Sequence, residues 1–354
     1  MKLRSVGSSM KLRTVGSSLA AVVALLAVAV GVVGKVNPHL FMRLPMGFVL
    51  WLATGHELPP FFESAPLQKE HFYRYARDGD LVQATMPKAG TVWLQNIFAL
   101  LTHKGDDSGN MMKRFGMMEI AKWPGETVEQ RLETETAKRV PGVPLGWFSH
   151  QFPKPGLVGL DVKANPKIKY LLAVRNGREV IKSLHPFLNG HTKEWKDLWG
   201  GFPPGDLSKE EAMNLMVKDT PMLFGYLKAW WPLRNEPNVH MVHFSNLKAD
   251  LRGEVTRLAD FLGIDASGYM DTVLEKASFA YMKRNWEKYT MKAGPNGDMD
   301  VHYPDNHMRS GVSDGGGDFF TAAMNASWDD AFARELGHDP VLQEWFMNGG
   351  PLPP

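Results

Sequence analysis

Lys88 and Gly90 lie between an apolar strand and an amphipathic helix, within residues 80–101, DLVQATMPKAGTVWLQNIFALL. A cation, a glycine and a helix N-terminus at that spacing form an anion cradle. The first backbone N–H groups of a helix have no intrahelical partner, and the helix dipole adds partial positive charge there. Gly90 lets the backbone approach an anion closely, and Lys88 places a full charge beside it. The expected ligand therefore carries phosphate. It is not held by the common nucleotide loop, G-x-x-x-x-G-K-[ST]. Here the lysine precedes the glycine and is followed by Ala89, not by a magnesium-holding hydroxyl. The plain alternative is a strand–turn–helix corner with a surface lysine.

Residues 168–187, IKYLLAVRNGREVIKSLHPF, supply a second cation. The continuous apolar run 170–174 reads as a strand buried on both faces, as in a parallel sheet. Arg175 falls at its carboxyl end and Ser183 inside the helix that follows. Open α/β sheets bind ligands outside those strand ends, where a planar guanidinium can grip phosphate. A strand-end salt bridge for Arg175 and a helix-surface place for Ser183 are the alternatives.

These motifs resemble those of the PAPS-dependent sulfotransferases, which use 3′-phosphoadenosine 5′-phosphosulfate (PAPS). TMPKAGTVW is similar to their 5′-phosphosulfate loop, YPKSGTTW. It agrees at Pro87, Lys88, Gly90, Thr91 and Trp93, with Leu94 following in the helix. Ala89 and Val92 each lose a hydroxyl, so the resemblance implies a weaker grip through the remaining backbone donors. Arg175 and Ser183 keep the spacing of the 3′-phosphate motif, R-N-x-x-D-x-x-x-S, with Glu179 replacing its Asp. ASFAYMKRN, residues 277–285, is similar to T-S-F-x-x-M-K-x-N. That likeness places Ser278 and Phe279 at the adenine, with Trp93 stacking on the other face. RSGVSDGGGDFFT, residues 309–321, aligns with R-K-G-x-x-G-D-W-K-N-x-F-T at Arg309, Gly311, Phe320 and Thr321. Ser310 there replaces a lysine, and the Gly315–Gly316–Gly317 run implies a mobile loop that is costly to order. Phe244 stands where the family often has a cofactor-touching Tyr. WFSHQFP, residues 147–153, resembles K-x-H-L-P and marks His150, among twelve histidines, as the catalytic base, with Phe148 in place of the lysine. A His suits that task because its ordinary pKa, about 6.5, leaves neutral imidazole near pH 7.

The resemblance implies transfer of a sulfuryl group to an acceptor hydroxyl or amine. Lys88 would stabilise the leaving phosphate, and no metal is expected because Lys88, Arg175 and Arg309 supply the positive charge. Two rivals stay open: a small-molecule kinase on a P-loop scaffold, and a non-catalytic binder of adenosine bisphosphate. The acceptor is unspecified, and an aromatic segment with Trp195, Trp199 and Phe202 reads either as a lid over an apolar acceptor or as packing.

To position these groups the chain must alternate strands and helices. The pattern predicts a helix over 67–78, the cradle strand and helix, the strand before Arg175, a long helix over 209–231 and a strand over 239–244. A further helix carries Leu247, Leu251, Val255, Leu258 and Leu262 on one face and ends at Gly263. A terminal helix and tail fill 325–354. The expected fold class is α/β, a parallel sheet flanked by helices on both faces, P-loop-like and nucleotide-binding. The 354 residues suffice for one large domain, here 57–354, and the net charge of +2 implies no nucleic-acid surface. Absence of cysteine excludes disulfides and thiol chemistry.

Residues 1–56 differ in composition. They hold no Asp or Glu and begin with a tandem copy, MKLRSVGSS and MKLRTVGSS. An apolar run over 19–34 follows, with Lys2, Arg4, Lys11 and Arg13 before it. That charge bias predicts a single-pass membrane anchor with a lumenal catalytic domain. A signal peptide, a targeting leader and a cytoplasmic enzyme are the alternatives. A lumenal domain would expose the Asn325–Ser327 glycosylation sequon. The anchor and the Trp-rich segment favour a lipid, sterol or glycolipid hydroxyl as acceptor; phenols, sugars and peptide tyrosine stay open.

Overall fold

The computed structural model describes residues 73–117, 127–153, 160–198, 205–220, 222–293, 299–303, 311 and 314–354. The chain divides into two units, Met1–Leu58 and Pro59–Pro354, and every described residue belongs to the second.

Short apolar runs become strands: β1 (Leu81–Ala84), β2 (Phe115–Met117), β3 (Gly146–Ser149), β4 (Lys169–Val174) and β5 (Val239–His243). They form one sheet in the order β2-β3-β1-β4-β5, and every pairing is parallel. β1 and β3 are buried at every residue, so both faces of the sheet are covered. The helices that serve the site are α1 (Thr91–Thr102), α2 (Gly177–Asn189), α3 (Phe244–Ala249), α4 (Leu251–Leu262) and α5 (Phe279–Arg284). Trp147, Tyr170, Trp230 and Trp345 fill the core. Trp195 joins them at 1% exposure, so it packs and is not a lid; Trp199 and Phe202 lie outside the described residues.

The amino end of β1 is fixed by the buried carboxylate of Asp80. Arg139 grips it with two hydrogen bonds of 2.8 and 2.6 Å. The Leu145 N–H and the Trp147 indole donate to it as well, each at 3.1 Å. Burial alone would raise its pKa, but Arg139, the Arg77 N–H and the Trp147 indole hold it below the usual carboxylate value. One charged group thereby ties β1 to β3 at the edge opposite the cradle.

Three expected helices are interrupted, the first two for a local reason. The 209–231 helix splits into Lys209–Asn214, a π-helical turn Leu215–Asp219, and Phe224–Trp230. Thr220 precedes a proline and is extended, φ −130° and ψ 152°, because a following proline disfavours the helical region. The helix expected to run through to Gly263 breaks at Asp250, whose side chain caps α4 by accepting from the Gly253 N–H at 2.8 Å. Gly263 closes α4 at φ 73°, the left-handed conformation its lack of a side chain permits. The expected terminal helix is two, Ala322–Leu336 and Pro340–Asn348. Of the helix expected over 67–78, residues 73–75 are helical and 67–72 lie outside the described residues.

His191 and His243 are buried, His240 is half-buried, and all three are held neutral. Burial pushes each pKa down to about 4. His243 shows the arrangement: Nε2 donates to the Phe346 carbonyl at 3.1 Å and Nδ1 accepts from the Ser245 N–H at 3.2 Å. Unfolding restores an ordinary pKa near 6.5, so between about pH 6.5 and 4 the unfolded chain binds more protons. Stability should therefore fall with pH in that window, by up to about 4 kcal/mol per unit for the three together. Thermal melts at pH 7 and pH 5 check this, and equal midpoints would refute it.

Candidate active site

Four adjacent strands end on one edge of the sheet, and each delivers a candidate residue. Read across the sheet, β3 ends at His150, β1 at the Lys88 loop, β4 at Arg175 and β5 at Phe244. Parallel sheets bind ligands at this carboxyl edge. A cleft of about 270 Å³ opens there, lined by Lys88, Gly90, His150, Arg175 and Phe244.

The cradle follows from the loop's backbone. Lys88 has φ 63° and Gly90 φ 98°. Gly90 is the N-cap of α1 and offers no side-chain oxygen, so the first-turn N–H groups are not capped from within. A Cβ on Gly90 would stand 3.0 Å from the Phe244 ring. The hydroxyls of Thr85 and Thr91 meet at 2.7 Å, and Gln83 Nε2 donates to the Thr91 carbonyl at 2.8 Å. These contacts fasten the start of α1 to β1. Thr91, Val92 and Trp93 all line the cleft. Ala89 does not; it is fully buried beneath the loop.

The two cations are held differently. Lys88 Nζ lies 3.8 Å from the centre of the Phe187 ring, a cation–π contact. Arg175 sits with its guanidinium carbon 4.2 Å from the centre of the Phe244 ring. Its Nη1 donates to the Lys88 carbonyl at 3.3 Å and its Nε to Glu179 at 2.8 Å. The strand-end salt bridge of the plain reading is thus present, inside the cleft. Glu179 also accepts from the Gly315 N–H at 3.0 Å, and Lys182 donates to Asp314 at 2.6 Å. The glycine run, expected to be mobile, is tethered by these contacts to the helix that carries Ser183.

His150 donates from Nδ1 to the Thr85 carbonyl at 2.7 Å. A carbonyl only accepts, so Nδ1 carries a hydrogen, and the neutral form of the ring has its lone pair on Nε2. Phe148 stands edge-on to the imidazole at 4.9 Å between centroids.

Of the remaining expected residues, Ser183, Phe279 and Gly311 line the cleft. Phe279 is 40% exposed, so it is not core. Trp93 donates its indole N–H to the Ala277 carbonyl at 2.7 Å, which orients its ring. Ser278 does not line the cleft; its hydroxyl caps α5 by accepting from the Tyr281 N–H at 3.2 Å. Arg309 and Ser310 lie outside the described residues.

Sequence reasoning passed over part of one wall. Glu179, Lys182, Ser183, Pro186 and Phe187 all line the cleft. Their steps of three, one, three and one residues mark a single face of α2, a signal that was readable beside Ser183. Gln95, Met112 and Met291 also line the cleft, and no motif points to them; Met282, which lines it too, is the Met of the 277–285 motif.

A model of the sulfotransferase domain matches residues 78–340. Sulfotransferase 2A1 of Homo sapiens is 26% identical over 79% of this chain and 92% of its own. Sulfotransferase 1B1 of Canis lupus familiaris is 26% identical over 74% of this chain and 85% of its own. Among solved structures, mouse sulfotransferase SULT7A1 complexed with PAP superposes with TM-score 0.55 at 21% identity, covering 76% of this chain and 90% of that one. Retinol dehydratase in a complex with retinol and PAP gives 0.54 at 17%, covering 77% and 86%. These two structures share the fold.

The membrane expectation is corrected. The shared domain accounts for 92% of the human relative, leaving little length there for an anchor. Among the described residues no helix is long and apolar enough to cross a membrane. The apolar run over 19–34 lies outside the described residues. The anchored, lumenal localisation is withdrawn, and the glycosylation expected at Asn325 falls with it; that side chain accepts a hydrogen bond from Arg178.

Proposed function

This chain belongs to the sulfotransferase family, and from that premise we propose that its cleft takes PAPS as the donor and that His150 is the general base. The protein is a sulfotransferase, and a small-molecule acceptor is part of the same proposal. The observation that carries the residue assignment is the order of groups along the sheet edge: His150, then the Lys88 loop, then Arg175, then Phe244.

The chemistry of the donor set fits a ligand with an anion at each end of a nucleoside. The α1 N-terminus and Lys88 suit the 5′-phosphosulfate, and Arg175 with Ser183 suits the 3′-phosphate. Trp93 and Phe279 offer aromatic faces to the purine. When bound, PAPS supplies the activated sulfuryl group. His150 Nε2 takes the acceptor's proton as the acceptor oxygen bonds to sulfur. The bond from sulfur to the 5′-phosphate oxygen breaks, and Lys88 with the loop N–H groups receives the charge on that oxygen. The products are a sulfate ester and adenosine 3′,5′-bisphosphate (PAP). The acceptor subsite has an apolar wall of Met112, Phe148, Met282 and Met291, which suits an apolar body such as a lipid or sterol alcohol.

Calorimetry with PAP and with ATP tests the donor assignment. The expected result is heat with PAP only, together with label transfer from radiolabelled PAPS that persists in excess chelator. Magnesium-dependent transfer of phosphate from ATP would instead identify a kinase.

A further inference from the structure

Gln95 is 1% exposed and lines the cleft. Neither its Oε1 nor its Nε2 has a hydrogen-bond partner among the described residues. Buried amides are nearly always bonded, because leaving them dry is costly. Gln95 is four residues after Thr91 and three after Val92, so it continues their helix face by one turn. The nucleotide's phosphates have other partners, on the Lys88 and Arg175 side. Met112 precedes β2 and Phe148 lies on β3, the strand that ends at His150, so both come from the far side of β1 from Arg175. An unpaired donor and acceptor thus share a cleft with an otherwise apolar acceptor wall.

We propose that Gln95 is a specificity-determining residue. Its carboxamide binds a second polar group, a hydroxyl or carbonyl, on an apolar acceptor whose reacting hydroxyl faces His150. The acceptor class is then an apolar molecule with two separated oxygen functions. This rests on the sulfotransferase reading of the cleft.

The test uses Gln95→Met, which keeps the volume and removes the amide. Two matched pairs of acceptors serve as probes: 4-propylphenol with 4-(3-hydroxypropyl)phenol, and a 3-hydroxysterol with its 17-keto counterpart. Wild type should favour the second member of at least one pair by about tenfold or more in kcat/KM, since a site built for a hydrogen bond rejects the analogue lacking it. In Gln95→Met that ratio should fall to about one. The variant should melt no lower than wild type, because no folded-state bond is lost, and PAP affinity should not change. The proposal is overturned by a wild-type enzyme that shows no preference or sulfates none of the four, or by a ratio that survives the substitution. A lower melting point would mean the amide has a partner in the fold, and weaker PAP binding would mean it touches the nucleotide; either also overturns it. Absence of PAP binding in wild type is a separate failure, that of the nucleotide assignment.

Discussion

Replacing His150 with alanine should lower sulfuryl transfer by about a thousandfold, within the range general-base catalysis contributes. Calorimetric affinity for PAP should change by no more than about twofold, because a base that meets only the acceptor adds nothing to nucleotide binding. The reason lies in one short bond. Thr85 follows β1, and its carbonyl accepts the Nδ1 hydrogen of His150 at 2.7 Å. This bond fixes the tautomer and leaves the lone pair on Nε2. The same residue begins the phosphate loop, and its hydroxyl meets that of Thr91 at 2.7 Å. His150 and the cradle are therefore braced by one residue, and their relative position does not depend on a flexible link. Phe148 closes the edge of the imidazole where the family carries a lysine. Single-turnover transfer and PAP calorimetry on the alanine variant check both halves. A variant that transfers at the wild-type rate, or one that no longer binds PAP, would remove His150 from the role of base.

The sheet and its cradle were legible because local and tertiary signals agree there. The buried runs at β1, β4 and β5 are short, apolar and followed by helical periodicity, so strand type and parallel order follow. Lys88, Gly90 and Arg175 stood out by their place between a strand and a helix, and His150 through its motif likeness alone; that all four line one cleft follows from a parallel sheet gathering its strand ends. What was not legible depends on contacts distant in sequence. Periodicity carried the reading of 209–231 straight through Thr220, though the proline after it was a visible stop signal. Asp250 could be read equally as a helix-surface acid or as a cap, and only its bond to Gly253 decides. Gln95 looks like an ordinary position on an amphipathic helix; its unpaired state exists only once the fold surrounds it. Glu179 was noted only as replacing the motif's Asp, yet it joins Arg175 to Gly315, a residue more than a hundred positions away.

Lys88 and Arg175 should fail in different ways when each is changed to methionine. On the proposed reading Lys88 faces the oxygen that leaves sulfur, where negative charge builds only as the bond breaks. Its substitution should lower kcat by about a hundredfold or more, the usual effect of removing a group aimed at developing charge. Affinity for PAP should fall less than kcat does. The loop supports this division of labour. A non-glycine residue at φ 63° is strained and persists only where its surroundings fix it. Here the Arg175 guanidinium holds the Lys88 carbonyl and Phe187 holds the ammonium. The charge is thus preset and needs little reorganisation during transfer. Arg175 is assigned to the 3′-phosphate, whose charge is the same before and during reaction. Interactions that are equal in the ground and transition states affect KM and leave kcat unchanged. Its substitution should raise KM for PAPS and weaken PAP binding by about ten- to a hundredfold, the range for losing a charge-assisted hydrogen bond. Because Arg175 also braces the Lys88 carbonyl, a modest fall in kcat belongs to the same picture, smaller than that of Lys88→Met. Steady-state kinetics in PAPS, run beside PAP calorimetry, separate the two. An Arg175→Met enzyme with unchanged KM and a collapsed kcat would place that guanidinium at the sulfuryl centre and reverse the assignment of the two ends of the cleft.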